Sequence, residues 1–166
     1  MTFSACKKSD DKNANPTTNN PNPNPNPNPN PNPNPNPTNN WNWTGTAPFS
    51  VKDDGSAFDT DVSSISVHEI LGYINITVRN TSGDDAIGLS IIANAEAGKE
   101  YTMPSPCNIS YTNQVDPKSF SVKTGKIKII SKTANSIEGQ FYGDMYEPTG
   151  GSRTKKLTEG YFKVTY

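Results

Sequence analysis

His68 is the only histidine in the chain. A zinc site of the usual kind would therefore have to draw its remaining ligands from Cys107 and carboxylates, a poor match to the nitrogen and sulfur sets that zinc prefers. A Ser-His-Asp hydrolase needs that histidine between a serine and an acid. The chain has many serines and aspartates but no Gly-x-Ser-x-Gly elbow, and Val67-His68-Glu69 reads as a piece of strand. Asp53, Asp54, Asp59 and Asp61 lie close together, with Asp84 and Asp85 further on. They could supply part of the about six to eight oxygens calcium takes, but their spacing fits no calcium loop, and Asp53-Asp54-Gly55 is simpler as a hairpin turn. Calcium-dependent adhesion is accordingly the weakest of the binding readings. Two carboxylates acting on a glycosidic bond would need a cleft and a fixed separation, which spacing alone does not supply. These residues point to a chain that is not an enzyme and carries no metal or diffusible cofactor.

The aromatic residues offer better chemistry. Trp41 and Trp43 are two apart, on one side of any extended segment, where two coplanar indoles could stack on sugar rings; the competing role is to pack where the chain enters the domain. Tyr142 and Tyr146, near a loop expected from Gly143 to Gly151, are candidates for a binding rim.

Cys6 has a different chemistry. Phe3-Ser4-Ala5-Cys6 places small residues before a thiol, as bacterial lipoproteins do where the cysteine receives a diacylglycerol. The basic stretch and apolar run of an export signal do not fit between Met1 and Cys6, so the natural start is expected upstream or the chain has been trimmed. Lys7-Lys8-Ser9-Asp10-Asp11 resembles the charged tag that follows the lipidated cysteine in Bacteroidota lipoproteins bound for the outer face of the outer membrane. With Cys6 acylated, Cys107 is left as a buried thiol, whereas a Cys6–Cys107 disulfide would leave neither lipid nor thiol. Asn42, Asn75, Asn80 and Asn108 each begin an Asn-x-Ser/Thr sequon, which a bacterial origin would leave unmodified.

The elements that hold these residues follow from pattern. Residues 1–6 read as a signal remnant and 7–40 as a tether, ending in strict Asn-Pro alternation from Asn20 to Pro37. Every second residue there lacks an amide donor, and each Asn before a Pro is driven out of the helical region, so neither helix nor sheet ladder is expected. Residues 41–166 are long enough for one domain with a modest core. Their apolar residues recur with a period of two, at Ile74, Ile76 and Val78, at Ile87, Leu89 and Ile91, at Ile127 and Ile129, at Ile137 to Gly143, and at Phe162, Val164 and Tyr166. Turns are expected at Asp53-Asp54-Gly55, Ser82 to Asp85, Gly98, Pro104 to Pro106, Asp116-Pro117, Thr124-Gly125, Ala134-Asn135 and Thr149 to Gly151. This predicts an all-β fold, an antiparallel sandwich of about eight to ten short strands with a small barrel as the alternative. Residues 41–100 carry nine acidic against three basic side chains, and residues 101–166 carry nine basic against five acidic. Pairing of the two halves across strands accounts for this better than a nucleic-acid surface built on Lys123, Lys126, Lys128, Lys132, Lys155 and Lys156.

Three blocks carry a family resemblance: Gly125 to Ser131, Ile137 to Phe141, and Leu157 to Tyr166, with Phe49 to Phe58 as an opening hairpin. Together they resemble a family of uncharacterised Bacteroidota lipoproteins, over most of residues 47–166. The resemblance implies a compact β-rich fold and an envelope location, and it transfers no catalytic residue. The chain departs from that pattern in its longer Asn-Pro spacer and its Trp41-Asn42-Trp43 entry. The resulting expectation is a lipoprotein held in the bilayer through Cys6 and facing the cell exterior. Its domain would bind a glycan or serve as an accessory component of an outer-membrane protein complex.

Overall fold

A computed structural model describes residues 41 to 166. The expectations for Cys6 and for the tether 7–40 fall outside the described residues. Among the described residues ten strands form: β1 (Phe49–Asp53), β2 (Ser56–Ala57), β3 (Thr60–Ile70), β4 (Tyr73–Asn80), β5 (Asp85–Ile92), β6 (Glu100–Met103), β7 (Asn108–Asn113), β8 (Lys118–Lys132), β9 (Ser136–Tyr146) and β10 (Thr154–Thr165). The domain is all-β and antiparallel, as the period-two pattern requires.

The strands join in one sheet, ordered β2-β1-β10-β9-β8-β7-β5-β4-β3, with β6 paired to the second half of β8. That sheet curls into a half-barrel, so a single sheet supplies both walls of the core. The concave face holds Ile74, Ile76 and Val78 of β4, Ile87, Leu89 and Ile91 of β5, Ile127 and Ile129 of β8, and Phe141 and Phe162 of β9 and β10, all sealed from solvent. Two glycines make the curl possible by yielding space to rings. A Cβ on Gly160 would lie 2.6 Å from the Phe141 ring, and one on Gly139 would lie 2.5 Å from Phe162 Cζ.

Thr124-Gly125, expected as a turn, lies instead inside the long strand β8, just after a bulge between Val122 and Thr124. The glycine marks a close approach: a Cβ there would meet the Tyr142 carbonyl oxygen at 2.4 Å. Gly143 likewise sits within β9, and the loop begins only after Tyr146, so both tyrosines are strand residues.

The opposite charges of the two halves do meet across strands. Lys126 pairs with Glu100, Lys52 with Glu159, and Lys155 with Asp53. The last pair belongs to a polar plug at one end of the sheet. Lys155 Nζ donates to both Asp53 oxygens at 2.9 and 2.6 Å while lying 4.2 Å from the centroid of the Tyr111 ring. Burial, then a hydrogen bond to Asp85, pushes the Tyr111 phenol far above its ordinary range, with Asp53 adding to the effect. Asp85 in turn accepts from Asn80 and Asn113, so the plug ties β1, β4, β5, β7 and β10 together.

Candidate functional site

The chain enters the domain along an extended segment laid across the convex face. Trp41, Trp43 and Gly45 face the sheet while Asn42, Thr44 and Thr46 face solvent. The alternation is that of a strand, but the contacts are made by side chains. Trp41 Nε1 donates to Glu100 Oε1 at 2.6 Å, and Trp43 Nε1 donates to the Gly160 carbonyl at 3.1 Å. The buried Gln140 carboxamide donates to the Trp43 carbonyl at 2.7 Å, and Gly45 lies so close to Tyr161 that a Cβ would fall 1.9 Å from it. The segment is thereby fastened to β6, β9 and β10.

The two indoles lie 5.2 Å apart by ring centroids and are tilted by 42°, so they are not the coplanar pair expected for a sugar platform. Trp41 also packs on Tyr142, 5.5 Å away, with Lys128 Nζ 6.0 Å from its ring. Both indoles are half-buried and both use their only donor inside the domain. The geometry is that of a clasp. Tyr146 is separate, half-exposed beside Pro104, Val122 and Lys123.

Glu100 is the pivot of this clasp. Burial would raise its carboxyl, but hydrogen bonds from Lys126 and Trp41, with the charges of Lys126 and Lys128, hold it below the usual range. A depressed carboxylate contributes stability that is present above its unfolded value and lost as pH falls through its folded one. Tryptophan emission is therefore expected to change on acidification below the ordinary glutamate range, and Glu100→Gln should abolish that step in a fluorescence titration.

The other candidates are dispersed. Asp53 is taken by Lys155, and the Asp54 carboxylate accepts the Lys156 backbone amide. Asp59 accepts from Thr81, and Asp61 is held below the usual carboxylate range by the Ser63 hydroxyl and amide. Among the described residues no three His, Cys, Asp or Glu side chains converge where a metal ion could sit. Asp54 and Gly55, both with positive φ, form the turn after β1 as anticipated. His68 lies on the exposed face of β3, where Ser66 Oγ is 2.9 Å from its Nε2 and, among the described residues, no carboxylate bonds the ring. Cys107 is fully buried, and that burial raises its thiol. Sequence reasoning located the two tryptophans but not Glu100 or Gln140, and it met Lys128 only as one of a set of basic residues, because these roles depend on register between distant strands.

Compared with family models, with curated proteins and with solved structures, the chain matches none.

Proposed function

We propose that this chain is a lipid-anchored protein of a Bacteroidota outer-membrane surface, acylated on Cys6, whose β-domain binds a ligand or partner and does no catalysis. The observation that carries this reading is the fastening of residues 41 to 45 across the convex face. The sequence puts the Asn-Pro spacer immediately upstream, and a pull along it would meet Trp41 on Glu100, Trp43 on Gly160 and Gln140 on the Trp43 carbonyl. A domain on a tether needs its entry point secured against such a pull, whereas a freely diffusing one does not. The Phe3-Ser4-Ala5-Cys6 context supplies the other end of the tether. One lipid chain gives only marginal membrane binding, so the multiple acylation of a lipoprotein cysteine suits a permanent anchor.

The test is Cys6→Ala in the gene with its own upstream leader. Release of the protein from the membrane fraction and loss of palmitate labelling are expected; continued labelling would sink the anchor. Purification from native membranes in mild detergent then separates the two modes of binding. A stoichiometric membrane-protein partner would mark an accessory subunit, and a clean monomer a ligand-binding module.

A further inference from the structure

A groove of about 420 Å3 lies on the convex face over β4, β5 and β7, none of which holds a tryptophan, and it is bounded by the Pro104 to Pro106 turn after β6. No Asp, Glu, Lys or Arg lines it. The grooves around Asp54 and Lys155, in contrast, are crowded with charge. Its floor is a row in register across three strands: Asn75 of β4 opposite Ser90 of β5, and Ser90 opposite Asn108 of β7. All three point outward, because their neighbours Ile74, Ile91 and Ile109 point into the core. Ser90 Oγ donates to Asn75 Oδ1 at 2.6 Å and the Asn75 amide nitrogen donates to the Tyr73 carbonyl at 3.4 Å, which fixes the Asn75 carboxamide and uses one of its two N–H donors. No hydrogen bond within the described residues engages the Asn108 carboxamide, leaving a donor and an acceptor on offer.

The walls are apolar. Tyr73, two residues before Asn75 on the same face, is 40% exposed, and Pro104 and Pro106 stand opposite. The lip is Leu71, 91% exposed at the tip of the β3–β4 hairpin. Leu71 and Gly72 have φ of 53° and 79°, the two positive values of a turn in which Asn-Gly is the favoured pair and a leucine is strained. Strain and exposure together on one apolar side chain are what a contact surface shows and a folding element avoids.

We infer that this groove binds a neutral glycan, with the Tyr73 ring stacking on a sugar face and Asn75, Ser90 and Asn108 engaging its hydroxyls. An uncharged polyol with C–H faces asks for one aromatic plane, paired amide donors and acceptors, and no ionic group that would have to be desolvated. An anionic polymer would call for cations, which the lining lacks. The inference rests on the binding-module reading above and names its ligand class.

The test uses the full 166-residue chain on a printed array of neutral hexose and N-acetylhexosamine oligosaccharides, with sialylated and sulfated counterparts. Retention of neutral members alone is expected. Tyr73→Ala should weaken the best of them at least about tenfold. Asn108→Asp, of the same shape but charged, should do likewise without loss of thermal stability. Leu71→Asn should raise the melting temperature by roughly 2–5 °C while lowering affinity, a combination that a packing role does not produce. Failure to retain any neutral glycan overturns the inference, as does retention that all three variants leave unchanged, or preferential capture of proline-rich peptides from a displayed library. Retention lost in Trp41→Ala and Trp43→Ala but kept in Tyr73→Ala overturns this site while leaving the binding-module reading intact.

Discussion

Gly139→Ala is expected to destabilise the domain by about 3 kcal/mol, read as a shift of the denaturation midpoint at unchanged slope. The added methyl would fall 2.5 Å from Phe162 Cζ and 2.6 Å from the Lys128 carbonyl oxygen. The ring could retreat only into other sealed side chains, since Phe162 is itself fully buried and packs 6.3 Å from Phe141. The carbonyl has even less freedom, because Lys128 lies opposite Gln140 in the β8–β9 ladder. Overpacking a tight core commonly costs about 1–3 kcal/mol, and a backbone oxygen as the obstacle puts this site at the upper end. Gly98→Ala is a useful contrast. Nothing lies within 4 Å of its Cβ position, so only the backbone strain at φ of 80° is felt, about 1 kcal/mol. A Gly139 variant no worse than the Gly98 variant would refute the ring-over-glycine account of the curl.

That account also explains how much of the fold was legible. Alternation alone identified Ile74 to Val78 and Ile87 to Ile91 as inward faces, because a side chain on a pleated strand has only two directions. Gly139 and Gly143 were assigned to the same face as Phe141, which is where they lie, yet their meaning could not be read. A glycine in a strand signals a turn, a bulge or a close approach equally well, and only the partner strand decides. Thr124-Gly125 was assigned to a turn for this reason. The groups that occupy the space, the Phe162 ring at Gly139 and the Tyr142 carbonyl and Met103 methyl at Gly125, belong to other strands, and no local pattern encodes them.

The candidate site was legible in a similar, partial way. Trp41 and Trp43 stood out as large aromatics at strand spacing, and their packing role was one of the two readings the spacing allowed. Their tilt and their acceptors were not legible. Glu100 and Gly160 come from strands separated from the entry by 59 and 117 residues. The Tyr73 groove was not legible as a groove, since Asn75 and Asn108 stood out only as sequons, Ser90 not at all, and the three become a row only through the β4–β5–β7 register.

Replacing Trp41 and Trp43 together by Ala is expected to remove about 3 kcal/mol of stability. Truncating one fully buried large aromatic commonly costs roughly 3–5 kcal/mol. Each indole here is only half-buried, so each forfeits less, but both lose a hydrogen bond and their mutual contact at 5.2 Å. The hydrogen bonds contribute about 1 kcal/mol each, more for the one to the Glu100 carboxylate. Coupling should be visible in a double-mutant cycle, because Trp41 rests on Trp43 and Tyr142 at once. A sum of single effects differing from the double effect by about 0.5 kcal/mol or more is the expected result. Strict additivity with a loss under about 1 kcal/mol would mean that the indoles merely lie on the sheet and do not fasten the entry segment to it.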